Sequence, residues 1–254
     1  MKLYRIFILT VALLMSWQLV VILSGAPPYI LPGPFPVALA IIDHWPELWN
    51  HLQTTFIEIV LGLLIGTVLG SSNALLMTLS PLLKRWMLPV LVISQAIPVF
   101  ALAPVLVLWL GYGLASKIAM AVLIIFFPVT SSFYHGMQRT DPDLLELGRV
   151  MGATTPALLR YIIIPTALPA FGSGLRVAAA VAPIGAVVGE WVGSSSGLGF
   201  YMLHANARMQ IDNMFAALAV LAMVSVTLYF AIDATITRLI FWETPKDLIH
   251  EKTH

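Results

Sequence analysis

The chain has 254 residues, of which 59% are hydrophobic and 10% are charged, with a net charge of +1. A soluble domain carries about 25% charged residues, so this composition excludes a large soluble core and predicts a polytopic membrane protein. The lack of cysteine excludes disulfides and cysteine-ligated metal sites, and the near-neutral charge gives no reason to expect nucleic acid as a partner. We expect an all-α, multi-pass protein of the cell inner membrane, with one transmembrane domain over residues 1–254 and no cofactor or metal.

Six apolar segments are long enough to cross a bilayer, for which a helix needs about 20 residues. They cover residues 6–23, 54–79, 87–110, 118–134, 168–188 and 214–240. The third contains Pro98 and Pro104, which interrupt the helical hydrogen-bond ladder and need compensation from neighbouring helices. The first begins and ends like a signal peptide, but its apolar run is longer than such peptides have, so we expect it to remain as a membrane anchor.

Lysine and arginine are distributed unequally between the loops on the two sides of the predicted spans. One side holds Lys2, Arg5, Lys84, Arg85, Arg139, Arg149, Arg160, Arg238, Lys246 and Lys252, and the other holds only Lys117 and Arg208. Basic residues concentrate in cytoplasmic loops of membrane proteins. Both termini and the segment 141–169 are therefore expected to be cytoplasmic.

The segment between the first two spans is rich in proline over residues 26–36, which predicts non-helical backbone there. Trp45 and Trp49 then indicate a short interfacial helix, since tryptophan is enriched at the headgroup level. We expect no metal site at His44 and His51, since two histidines alone make a poor ligand set.

The second span carries Glu58, Gly62, Gly66 and Gly70 at intervals of four residues, which places them on one helix face. A face of small residues lets another helix approach closely. That helix could belong to this chain or to a second copy of it. Glu58, near one end of the span, could reach interfacial water.

Polar or helix-breaking residues inside the spans are candidates for a translocation pathway, because such residues are costly in the bilayer unless they are bonded or face a cavity. They are Gln95, Pro98, Arg176, Pro183 and Glu190. Gln95 could instead serve packing, and Arg176 could pair with a carboxylate or a lipid phosphate. Glu190 could lie at the interface or bond the Gly–Ser turn that follows, which is also a candidate external gate. Pro183 predicts a break in the middle of the fifth span.

The polar segment 141–169 stands apart from its apolar surroundings. Asp141 suits a helix N-cap, Pro142 suits the first helical residue, and Gly152 is expected to end the helix in a left-handed conformation. Thr154 or Thr155 caps a second short helix, after which Pro165 and Pro169 redirect the chain into the fifth span. Apolar or small residues recur on one face of the first helix, namely Leu144, Leu145, Gly148, Met151 and Gly152. Such a narrow face suits a shallow groove on another protein.

The spacing of Glu146, Gly152 and Pro165 resembles the EAA loop of binding-protein-dependent ABC transporter permeases. Leu147 and Gly148 stand at the two alanine positions of that loop. The resemblance implies the type I importer fold, with six transmembrane helices and a cytoplasmic coupling helix. It also implies cytoplasmic ATPase subunits that hydrolyse ATP, an external solute-binding protein and a dimer of permeases, here a homodimer. The residues implied to contact the ATPase are Asp143, Leu144, Leu145, Glu146, Gly148, Met151, Gly152 and Pro165.

Residues 95–117 resemble the third-span signature of the nitrate, sulfonate and taurine permease group, and residues 189–210 are most similar to members for thiamine pyrimidine precursors. The expected solute is therefore of the hydroxymethylpyrimidine or formylaminopyrimidine type, with sulfonate, taurine or nitrate as the alternative. A stand-alone secondary transporter is the alternative of another class, but the halves show no inverted repeat and intramembrane carboxylates are scarce. A membrane enzyme is disfavoured because the sequence holds no nucleotide-binding loop or catalytic cluster.

Overall fold

The computed structural model describes residues 2–242, with side chains described at residue 4 and from residue 8 onward. This part of the chain is helical without strands. The helices are α1 (Lys2–Ser24), α2 (Pro34–Asp43), α3 (Trp45–Leu79), α4 (Pro81–Ala96), α5 (Val99–Leu110), α6 (Leu114–Gln138), α7 (Pro142–Val150), α8 (Thr155–Leu158), α9 (Ile164–Gly193), α10 (Leu198–Ala207) and α11 (Ile211–Leu239). Lys246 and Lys252, predicted to be cytoplasmic, lie outside the described residues.

Four helical stretches in the described part are long and apolar enough to cross a membrane. They are α3, α6, the continuous stretch Thr155–Gly193 that contains α8 and α9, and α11. Helix α1 adds an apolar stretch over Ile8–Ser24. The prediction of an all-α polytopic membrane protein is confirmed.

The third predicted span is two helices rather than one. Helices α4 and α5 are bent by 103° relative to each other, and Ile97 between them is extended, with φ −83° and ψ 121°. Pro98 explains the break, because it lacks an N–H group and its ring disfavours helical backbone at the preceding residue. The predicted interruption is confirmed at Pro98, whereas Pro104 is tolerated inside α5.

Three predictions that rested on proline are wrong. Helix α9 continues through Pro183 without a break, and Pro165 lies in its first turn rather than redirecting the chain. A π-helical turn, Leu159–Ile163, joins α8 to α9 just before Pro165, and local π adjustments of this kind re-satisfy the backbone groups that a proline leaves unpaired inside a membrane helix. Helix α2 likewise begins at Pro34, so the proline-rich loop becomes helical earlier than predicted.

Helix α6 packs between α3 and α9, and Ala121 lies at the point where all three meet. A methyl group added at Gly62 of α3 would lie 2.5 Å from the Ala121 Cβ, and one added at Gly185 of α9 would lie 2.6 Å from the Ala121 Cα. Gly66 meets Ile125 of α6 in the same way. The glycine face of α3 therefore serves packing within this chain, which decides between the two alternatives left open by the sequence.

Helix α1 is attached to the rest of the protein mainly through Trp17. Its ring stacks on Phe215 of α11 with centroids 6.1 Å apart, and its Nε1–H donates to the Pro32 carbonyl at 3.1 Å. Large apolar side chains of α1, such as Leu13 and Leu23, are exposed. Trp17 thus anchors α1 to the rest of the described chain, and many other side chains of α1 are left for lipid or another chain.

Candidate functional site

Helices α7 and α8 form a hairpin at the end of the membrane domain where α9 begins. The Asp141 carboxylate accepts a hydrogen bond from the Asp143 N–H at 3.0 Å, which caps α7 as predicted. Gly152 has a φ of +83°, and the Ala153 N–H donates to the Gly148 carbonyl at 2.9 Å. This left-handed turn closes the hairpin and confirms the predicted role of Gly152.

The hairpin has an inner and an outer face. Gly148 is buried against α8, and a Cβ there would lie 2.5 Å from Leu158 Cδ2 and 3.0 Å from Ile162 Cδ1. Away from this contact, α7 and its C-cap expose apolar side chains, namely Leu144 (45%), Leu147 (57%), Val150 (86%) and Met151 (78%). Gly148 therefore holds the hairpin together, and the exposed side chains are free to contact a partner.

The other predicted coupling residues lie partly on the exposed surface of the hairpin and partly in half-buried positions. Asp143 and Glu146 are exposed on α7, Leu145 is half-buried, and Pro165 lies half-buried in α9 beyond the hairpin. Sequence reasoning did not include Leu147 and Val150 among the contact residues. Their three-residue spacing, which matches that of Leu144 and Leu147, could have identified them.

The predicted pathway residues do not share one environment. Gln95 and Pro98 are exposed at the bend between α4 and α5, whereas Pro183 is buried in the interior of the chain. Arg176 donates from Nε to Asp233 Oδ1 of α11 at 2.6 Å, which confirms the alternative that Arg176 pairs with a carboxylate.

A buried ion pair lies at the end of the domain away from the hairpin. Lys117 Nζ and Glu58 Oε1 are 2.7 Å apart, and the two side chains are 6% and 0% exposed. The prediction that Lys117 belongs to an external segment is wrong, because α6 begins at Leu114 and turns Lys117 into the interior. The prediction failed because the partner, Glu58, is 59 residues away in sequence.

Glu190 extends this network to the turn that follows α9. Its Oε1 accepts a hydrogen bond from the Thr55 hydroxyl at 2.6 Å, and its Oε2 accepts one from the Gly199 N–H. Gly197 has a φ of +110°, and a Cβ there would overlap the Glu190 carboxyl group. The interpretation that Glu190 bonds the Gly–Ser turn is confirmed, and only glycine fits at position 197.

A polar cavity of about 230 Å³ adjoins this network and is lined by His44, Glu47, His51, Phe200, Tyr201, His204, Ala205, Arg208, Gln210 and Asn213. The His51 Nδ1 accepts from the Gly197 N–H at 3.0 Å, which joins the cavity to the turn. Burial, reinforced by nearby Glu47, raises the pKa of the Tyr201 phenol, so this side chain remains neutral. Among the described residues, no group of three or more histidines and carboxylates could hold a metal ion.

Long apolar helices define a helical membrane protein, and the α7–α8 hairpin beyond them exposes apolar side chains. Residues 59–241 match the family described as binding-protein-dependent transport system inner membrane component, and the chain belongs to this family.

Comparison with relatives gives the same class. The chain is 52% identical to a probable ABC transporter permease protein of Haemophilus influenzae, over 94% of this chain and 98% of the relative. It is 38% identical to the formylaminopyrimidine transport permease protein ThiX of Halalkalibacterium halodurans, over 91% and 92%. It is 37% identical to the riboflavin transport system permease protein RibX of Chloroflexus aurantiacus, over 91% and 87%.

The fold is similar to that of a chain in the inward-facing structures of the MetNI methionine ABC transporter. The TM-score is 0.61 at 21% identity, over 81% of this chain and 98% of the other. The protein is therefore a membrane permease component of an ABC importer, and in this family ATP hydrolysis belongs to a separate subunit.

Proposed function

We propose that two copies of this chain form the membrane channel of an importer for a pyrimidine-type solute, driven by ATPase subunits that hold the α7–α8 hairpin. The observation that carries the proposal is the exposed apolar face of α7 on a hairpin packed through Gly148. In the orientation that the basic residues favour, this hairpin faces the cytoplasm.

The hairpin suits the transmission of force because it is both exposed and firmly attached. Apolar side chains such as Val150 and Met151 are costly to leave in water, and a hydrophobic groove on a partner would cover them. The Gly148 contact with Leu158 leaves no room for α7 to slide on α8. Movement of the groove would therefore move α8 and, through the π turn, α9.

Co-purification of the ATPase tests this role. We expect Val150→Asp and Met151→Asp to abolish retention of the ATPase on the tagged permease and to abolish uptake, while the permease still inserts and folds. The matched control is Met209→Asp, because Met209 is a methionine exposed to 65% in the turn at the other end of the domain. Full ATPase retention in both hairpin variants would refute the coupling role.

The bend between α4 and α5 supports placing the solute pathway there. Irregular backbone and a polar side chain such as Gln95 are tolerated at membrane depth only where protein or water covers them. In the isolated chain both Gln95 and Pro98 are exposed. A second copy facing this bend would enclose it and leave a shared aqueous path between the two chains.

The absence of cysteine from the chain makes this arrangement directly testable. We expect Gln95→Cys to react with a membrane-impermeant maleimide and to form a cross-linked dimer with a short bifunctional reagent. The control is Val68→Cys, at an apolar position of α3 that is exposed to 57%. Equal labelling at both positions, or no cross-link at Gln95, would count against a pathway between two copies at this bend.

Relatives and charge together support the choice of solute. ThiX and RibX are named for formylaminopyrimidine and riboflavin, and both of these molecules contain a pyrimidine ring. Lys117 and Arg176 are paired with carboxylates, so neither offers a free positive charge to a sulfonate or nitrate. A planar, uncharged nitrogen heterocycle fits these observations better than an inorganic or sulfonate anion.

Ligand binding by the partner solute-binding protein is the decisive experiment for the solute. Thermal-shift measurements with hydroxymethylpyrimidine, formylaminopyrimidine, riboflavin and taurine should show stabilisation by a pyrimidine. Uptake of the same labelled compound into proteoliposomes should require this permease and ATP. Stabilisation by taurine alone would overturn the proposed solute and leave the importer role intact.

A further inference from the structure

The buried network of Glu58, Lys117 and Glu190 does not balance in charge if every group is ionised. It contains two carboxyl groups and one ammonium group, and these residues are 0%, 5% and 1% exposed. With all three ionised, the network would carry a net negative charge in the interior of the protein. Burying an uncompensated charge is strongly unfavourable, so a proton or a cation must complete the site.

The hydrogen bonds show which carboxyl group is the anion. Both oxygens of Glu190 accept, one from the Thr55 hydroxyl and one from the Gly199 N–H. The Thr55 hydroxyl in turn accepts from the Leu198 N–H at 2.8 Å, so its own hydrogen is available for Glu190. Two donors directed at one carboxyl group stabilise its ionised form.

Glu58 has a different environment. Its Oε1 accepts from Lys117, whereas its Oε2 is buried with no donor directed at it. Thr55, one turn before Glu58 on α3, bonds the Glu190 carboxyl group at 2.6 Å, so the two carboxyl groups lie in the same buried site. A hydrogen on Glu58 Oε2 would therefore give this atom its missing partner and give Glu190 a further donor.

We infer that Glu58 is protonated in the folded protein and donates from Oε2 to the Glu190 carboxylate. The network is then neutral, with Lys117 cationic, Glu58 uncharged and Glu190 anionic. The remaining titratable neighbour, His51, accepts from the Gly197 N–H through Nδ1 and so carries its hydrogen on Nε2. Glu58 acts as a positioning residue, because its proton joins α3 and α6 to Glu190 and hence to the turn before α10. The inference goes beyond the proposed function and does not depend on the solute or the ATPase.

Two glutamine substitutions in the assembled transporter distinguish the two carboxyl groups. Glu58→Gln keeps an acceptor for Lys117 and supplies an N–H donor to Glu190, so the melting temperature should stay within about 2 °C of the original. Glu190→Gln turns an amide NH₂ group toward the Thr55 hydroxyl or the Gly199 N–H, so that one donor faces another, and it should lower the melting temperature by at least about 6 °C. Lys117 stays balanced in this variant because Glu58 can ionise, so the loss reports the donors around position 190.

Infrared spectroscopy reports the proton itself. The protein should show the carbonyl band of a protonated carboxylic acid at neutral pH, and Glu58→Gln should remove it. Glu190→Gln should also remove it, because Glu58 would then ionise and balance the charge of Lys117. Glu47→Gln, which removes an exposed carboxylate on α3, should leave the band unchanged. Retention of the band in Glu58→Gln would place the proton on Glu190, and absence of the band from the unsubstituted protein would show both groups ionised. Either result overturns the inference, as would failure of Glu58→Gln to fold.

Discussion

Gly62 and Gly185 approach the same residue of α6 from two different helices, but they meet different atoms of it. A methyl group at position 62 would lie 2.5 Å from the Ala121 Cβ and 3.7 Å from its Cα. A methyl group at position 185 would lie 2.6 Å from the Ala121 Cα and 3.1 Å from its backbone nitrogen. Gly62→Ala therefore collides with a removable side chain, whereas Gly185→Ala collides with the backbone of α6.

The two substitutions should cost similar amounts but respond differently to rescue. An ordinary van der Waals contact for Cβ begins at 3.4 Å, so each variant forces about 0.8–0.9 Å of separation, which typically costs about 1–3 kcal/mol. Ala121→Gly removes the methyl group that Gly62→Ala meets and leaves a contact of 3.7 Å. It cannot relieve Gly185→Ala, because the opposing Cα and nitrogen remain.

Reversible unfolding of the purified permease in mixed micelles measures both double-mutant cycles. Ala121→Gly alone should cost about 1 kcal/mol as a glycine in a helix interior. Its coupling energy should be about 1–3 kcal/mol with Gly62→Ala and near zero with Gly185→Ala. Gly113→Ala is the control, because a Cβ there meets nothing within 4 Å. Equal coupling in the two cycles would refute the assignment of side-chain and backbone contacts.

Three further predictions concern other parts of the chain. Gly152 has a φ of +83°, and a Cβ there would meet open space. Alanine at this position should therefore cost about 1–2 kcal/mol of backbone strain, and asparagine should cost less. The amount of ATPase retained on purification should fall in the order Gly, Asn, Ala. Arg176→Ala and Asp233→Ala should each lower the free energy of unfolding slightly. Their coupling energy in a double-mutant unfolding cycle should be at most about 1 kcal/mol, because the pair is partly exposed. A coupling energy of zero would show that the pair contributes nothing to stability. Trp17→Phe keeps a ring to stack on Phe215 but loses the hydrogen bond to Pro32, so unfolding measurements should show a loss of about 0.5–1.5 kcal/mol, whereas Trp17→Ala should lose more.

Local sequence patterns predicted the features that depend on local physics. Runs of apolar residues identified the long helices, Asp141 and Gly152 marked the two ends of α7, and Pro98 marked the break between α4 and α5. Each of these follows from the conformational preference or hydrogen bonding of a few neighbouring residues. The ends of the α7–α8 hairpin were therefore predictable from the sequence.

The buried network could not be predicted in this way. Lys117 and Glu58 are 59 residues apart, and His51 meets Gly197 across 146 residues. Lys117 stands at the end of an apolar run, a position that predicts a residue in an external loop. Only the packing of α6 on α3 turns its side chain inward. The prediction of a helix break at Pro183 failed for a related reason, because neighbouring helices can compensate for a proline inside a membrane helix.

The continuous helical stretch Thr155–Gly193 also has a mechanical meaning. Its 39 residues, at about 1.5 Å per residue, give a lever roughly 58 Å long. Leu158, at one end, is clamped by Gly148 of the hairpin, and Glu190, near the other, holds the turn before α10. A tilt of only about 5° about the hairpin end would carry the far end through about 5 Å. One continuous helical stretch therefore reaches from the hairpin to the turn before α10.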